Sequence, residues 1–151
     1  MISKIKKYGF KQGLPQEFEL VNLAELYTTF FDHLTIPHRL DFYQTPWPTK
    51  GSPPHMVAST PLKIQPNSIL FVDKNSVQCF DASQPVEGIS LIFTDNFFCK
   101  TDYDTKFLRS SMLFNDLYTI STIEVHDLTP VFSSFFELMA TELATNPDNY
   151  Q

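Results

Sequence analysis

Ile36-Pro-His-Arg-Leu-Asp-Phe-Tyr-Gln44 is the stretch on which the fold reading turns. Successive residues of a strand point to opposite faces, so His38, Leu40, Phe42 and Gln44 are expected to share one face. Arg39 and Asp41 then fall on the other face. There they are expected to pair, worth at most ~1 kcal/mol on a surface. A face carrying an imidazole, a leucine, a phenylalanine and an amide suits a lined interior better than a solvated surface.

Working outward, eleven prolines stand against four glycines. They cluster between Pro37 and Pro85, which excludes long helices there. Strands are expected at Phe18–Tyr27 (which also suits a helix), Asp41–Trp47, Met56–Ala58, Leu62–Ile64, Ser68–Val72, Val77–Phe80 and Val86–Phe93. The separators TKGSPP, IQPNS, DKNS and DASQP are turn chemistry. Short strands at this spacing predict a barrel or sandwich.

The character changes at Thr94. Thr94 or Asp95 is expected to cap a short helical turn, and Asp104–Phe114 reads as a second short helix. Tyr118–Val125 returns to strand character. Asp127 and Thr129 are expected to cap a longer helix with Pro130 in its first turn. Val131, Phe132, Phe135, Leu138, Met139 and Leu143 recur at helical spacing, predicting an apolar stripe packed on the β body. Asn146-Pro147 is a helix-ending signal.

Composition bounds the function. The chain of 151 residues is long enough for one sizeable core, and its fifteen phenylalanines supply apolar mass. A formal charge of −6 argues against nucleic-acid binding by this chain. The basic cluster Lys4, Lys6, Lys7 and Lys11 reads as a solvated tail. Cys79 and Cys99 form no CxxC pair and read as small buried hydrophobes. The N-terminus lacks the apolar run of a signal peptide, and no segment approaches the ~20 apolar residues of a membrane span. A cytoplasmic location is expected, with no membrane partner.

Metal-binding cupins offer His-x-His, a Glu four residues on, and a further His on a later strand after a Pro-x-Gly turn. Here those places read His38, Leu40, Gln44 and, after Pro66-Asn67-Ser68, Gln78. One ligand of four survives, where a catalytic site needs about three. No metal and no other cofactor is expected. Pro37-His-Arg-Leu-Asp-Phe-Tyr-Gln44 resembles a strand of AraC-type transcriptional regulators. Further resemblance to that family lies in Gly51–Val57, Pro61–Val72, Asn75–Phe80, Glu87–Phe98 and Phe107–Tyr118, in family order.

The resemblance implies a mainly β fold: a cupin-like, jelly-roll-type barrel with short helices and a C-terminal helix. It implies an N-terminal arm at 1–16, an effector-binding barrel at 17–126, and the start of a dimerisation hairpin at 127–151. The hairpin's second helix and the helix-turn-helix DNA-binding domain are absent from this sequence. An excised sensor domain is therefore expected, with contact to DNA only through that missing part and a homodimer in the full-length protein.

Inward positions by parity are His38, Phe42, Gln44, Gln78 and Phe80, with Trp47 near the mouth. Aromatic faces and amides suit a sugar or other small metabolite. His38 reads equally as a hydrogen-bonded core residue, and Phe42 and Phe80 read also as plain core. Trp47, between Pro46 and Pro48, is the stronger binding candidate. His33, His55 and His126 read as surface or turn residues, and Asp102 and Asp104 as a solvated loop. No Gly-x-Ser-x-Gly elbow or phosphate-cradling glycine loop is present, so a non-enzymatic module is expected. The rivals are a small stand-alone cupin enzyme of the sugar isomerase or oxygenase type, and a dimerising domain whose barrel is filled by side chains.

Overall fold

Prolines and turn residues cut the first two thirds of the chain into short strands, and the computed structural model describes residues 4–14, 16–114 and 121–145. The elements before the hairpin region are β1 (Lys6–Tyr8), β2 (Phe18–Asn22), α1 (Leu23–Thr29), α2 (Phe31–Leu34), β3 (His38–Leu40) and β4 (Tyr43–Lys50). Then come β5 (Pro54–Val57), β6 (Thr60–Lys63), β7 (Ser68–Phe71), β8 (Gln78–Phe80) and β9 (Glu87–Phe93). Helices α3 (Asp95–Phe98) and α4 (Asp102–Ser110) precede β10 (Ser121–Glu124) and α5 (Thr129–Thr145). The chain is thus sheet-rich, with short helices and a C-terminal helix. No helix among the described residues is long and apolar enough to cross a membrane.

Among the described residues the strands do not close into one continuous barrel. They form a five-stranded sheet in the order β1-β3-β8-β5-β6, a three-stranded sheet β2-β9-β4 and a pair β10-β7. The pair joins the three-stranded sheet through one bridge, Gln44 to Val72, so β2, β9, β4, β7 and β10 make a second layer. Val57 and Ile64 pack on Leu70 and Val72, bringing the two layers face to face.

The weak link between β4 and β7 has a chemical cause. Gln44 and Val72 exchange both backbone hydrogen bonds, which fixes the side of β4 that faces β7. Pro46 and Pro48 present their nitrogens on that same side and have no N–H to give. Pro48 still accepts from the Asn67 amide. On the other side, Tyr43, Thr45 and Trp47 run in full register with β9.

Alternation then sorts the second layer's side chains. Tyr43, Trp47, Ile69, Leu91 and Phe93 face away from the first layer. They are covered by Phe132 and Phe136 of α5 and by Phe97, Phe98, Leu108 and Phe114. Gln44, Pro46, Ser68, Leu70 and Ser90 face inward, and all are buried.

Several local expectations change. The Phe18–Tyr27 segment splits: Asn22 ends the strand and its side-chain oxygen accepts from the Glu25 amide, capping α1. Lys6 and Lys7 are not tail but strand, paired in parallel with β3. Asp104 is not an idle loop carboxylate; with Thr101 it forms a reciprocal capping box at the start of α4. Arg39 and Asp41 do not pair: Arg39 donates to the Asn75 carbonyl and Asp41 accepts from the Phe10 amide. Cys79 and Cys99 are free thiols, only half-buried.

The α5 stripe is rotated from the expected one. Phe136 is buried at 8% exposure, whereas Val131, Phe135, Leu138 and Met139 stand 37–66% exposed. Pro130 does lie in the first turn of α5. Residues 118–120 of the expected strand and the Asn146-Pro147 stop lie outside the described residues.

Candidate functional site

The central strand β8 brings together chemistry that the sequence scatters. Its Gln78 stands opposite His38 of β3 on one side and Val57 of β5 on the other. Its Phe80 stands opposite His55 of β5. Directly paired residues on neighbouring antiparallel strands project to the same face. His38, His55, Gln78 and Phe80 therefore line one patch of the interior, each no more than 3% exposed.

Their hydrogen bonds are incomplete. His38 Nδ1 lies 2.9 Å from the Ile36 carbonyl oxygen. His55 Nε2 lies 3.2 Å from Gln78 Oε1. His38 Nε2, His55 Nδ1 and Gln78 Nε2 are buried without partners. From the facing layer, Gln44 Oε1 and Ser90 Oγ are buried and equally unpaired. A buried donor or acceptor left unpaired costs about 1–3 kcal/mol, so these atoms stand open to a hydrogen-bonding partner.

Aromatic rings frame this patch. Phe80 lies 3.9 Å from His55 and 5.1 Å from Tyr27, centroid to centroid. Tyr27 of α1, whose hydroxyl is also unpaired, borders a cleft of about 430 Å³ between α1 and residues 82–86. Tyr8 of β1 stacks on His33 at 4.9 Å and lies 6.1 Å from His38. A second cleft of about 500 Å³ runs between the 9–14 segment and the start of α3. Its carboxylates are engaged: Glu17 accepts from the Thr94 hydroxyl, and Asp95 accepts from Tyr43 and pairs with Lys74.

The patch is electrically neutral. Burial pushes the His55 imidazole down to about 3, against a smaller upward pull from its Gln78 hydrogen bond. Burial also lowers His38, partly offset by its bond to the Ile36 carbonyl. The Tyr27 hydroxyl is raised by burial. Among the described residues the buried polar ones, His38, Gln44, Thr45, His55, Ser68, Ser76, Gln78, Ser90 and Thr94, include no carboxylate, lysine or arginine. Among the described residues no group of three or more His, Cys, Asp or Glu is placed to hold a metal ion. Such a surface can donate and accept hydrogen bonds, but it has no charged group to stabilise an ion.

Of the residues singled out in the sequence, His38, Gln78 and Phe80 converge here, and Gln44 projects from the facing layer. Phe42 does not. The chain bends between β3 and β4, which breaks the parity, and Phe42 packs edge-on against Phe10 at 5.4 Å. Trp47 is not at a mouth: it is 2% exposed and stacks on Phe136 of α5 at 5.0 Å. His55 is the residue sequence reasoning missed, buried rather than at a turn. Starting that strand at His55 instead of Met56 would have placed it on the face of Val57. No known protein-family model matches this chain, and comparison with curated proteins yields no match.

Proposed function

We propose that this chain is the small-molecule-sensing domain of an AraC-type transcriptional regulator, with a cupin-like interior that encloses an effector without a metal. One observation carries the reading: a neutral, fully buried patch of His38, His55 and Gln78 in which His38 Nε2, His55 Nδ1 and Gln78 Nε2 lack protein partners. Depressed imidazoles and a raised tyrosine make poor acids and bases near neutral pH, which favours binding over catalysis. The Tyr8 ring lies 6.1 Å from that of His38, which supports a reading in which an effector at the patch alters the contacts of an N-terminal arm. Differential affinity for two arm positions is what an allosteric output requires. DNA contact belongs to a domain outside this chain, and α5, whose outer side carries Phe135 and Leu138, belongs to a homodimer interface in the full-length protein.

The test is a thermal-shift screen of the chain against small metabolites. A ligand at about 100 times its Kd adds about 2.7 kcal/mol, which moves the midpoint by several degrees for a domain of this size. The shift should persist in Trp47→Phe and vanish in Gln78→Leu. A ligand whose shift is unchanged in Gln78→Leu would place binding elsewhere and remove the reading.

A further inference from the structure

We infer that the interior selects an uncharged ligand that brings hydrogen-bond donors, with His55 as a specificity-determining residue. The inference rests on the sensing function just proposed and deepens it. A carbonyl oxygen can only accept, so the 2.9 Å contact to Ile36 puts the proton of neutral His38 on Nδ1. Its Nε2 is then a bare lone pair. The Gln78 oxygen likewise holds the proton of His55 on Nε2, at 3.2 Å. The His55 Nδ1 is then a second bare lone pair, and both are buried and unpaired.

Gln44 Oε1 adds a third unpaired acceptor from the facing layer. Against these stands one obligate donor, the Gln78 amide nitrogen, while the hydroxyls of Tyr8, Tyr27, Ser68 and Ser90 serve in either role. A carboxylate or phosphate offers only acceptors and would face lone pairs. An ammonium would meet no carboxylate, since none is among the buried residues of the described chain. A neutral molecule with hydroxyl or N–H groups matches this set of donors and acceptors. Sites built to pair a donor discriminate strongly against analogues that lack it.

Two measurements test this. Two-bond ¹H–¹⁵N correlation spectra of the free chain at neutral pH should show His38 protonated at Nδ1 and His55 at Nε2. A His55 proton on Nδ1 would turn that lone pair into a donor and overturn the ligand class. Calorimetric titration then uses matched sets: glucose, glucuronate and glucosamine; galactose and its acid and amine; nicotinamide and nicotinate; glycerol and glycerate. The neutral member of a binding set should be at least tenfold tighter than its charged partners, and His55→Phe should erase that preference. An acid or ammonium form that binds as tightly overturns the class while leaving sensing intact. No binding by any member overturns the sensing reading, and this inference with it.

Discussion

Gly88 shows how one residue holds two strands at their observed distance. Its φ is +153°, and a Cβ there would lie 2.3 Å from the Trp47 carbonyl oxygen and 2.7 Å from the Pro48 Cα. Both contacts are to backbone, which cannot swing aside. Gly88→Ala should therefore destabilise the chain by about 2 kcal/mol through overpacking, measured as a lowered urea midpoint. His55 sets a pH limit of a different kind. Folded, it stays neutral down to about 3, whereas its ordinary value is 6.5. Between those values the unfolded chain binds the extra proton, so stability rises with pH and is lost as pH falls from 6.5 towards 3. The slope should approach ~1.4 kcal/mol per pH unit for that one proton, and His55→Leu should flatten it in acid-denaturation curves. At this scale parity paired Gln78 with Phe80 because a strand's alternation is local; Gln44 faces inward from a separate strand beyond the bend. Parity failed at Phe42 and Trp47, where a bend and an overlying helix decide.

Among the elements, the β5–β6 hairpin carries visible strain. Val57 pairs with Thr60, leaving a two-residue turn at Ala58 and Ser59, with φ of 49° and 66°. Two positive φ values suit the hairpin turns that favour Asn-Gly, and non-glycine residues there carry a steric penalty. Ser59→Gly should stabilise by about 1 kcal/mol and raise the thermal midpoint by a few degrees. The Asn22 cap works the other way. Asn22→Ala removes the acceptor for the Glu25 amide and should cost about 1 kcal/mol, seen by calorimetry. The turn strings around Pro66, Asn75 and Ser83 were legible because proline and left-handed asparagine act within a few residues; Asn67 and Asn75 indeed take φ of 61° and 67°. The split at Asn22 was less legible, since FELVNLAELY satisfies both periods until the cap chooses.

Across the whole molecule, α5 seals the outer face of the second layer through few contacts. Phe136 stacks on Trp47 and Phe132 meets it edge-on at 6.3 Å. Phe136→Ala should cost about 3–5 kcal/mol, as for other buried aromatic truncations, and hydrogen exchange should show α5 amides exchanging first. Phe135 and Leu138 are exposed, 55% and 66%, so Phe135→Ser should leave that stability nearly unchanged.

Local rules in the sequence were enough for a sheet-rich chain of short strands, its turns and its closing helix. Those follow from local rules: proline geometry, two-residue alternation and composition. Tertiary structure alone decided that the strands sort into two layers, that α5 turns Phe136 rather than Phe135 inward, that Trp47 is core, and that His55 completes the patch. Each depends on which surfaces meet across long stretches of chain, and a side chain's alternation says which way it points but not what lies opposite.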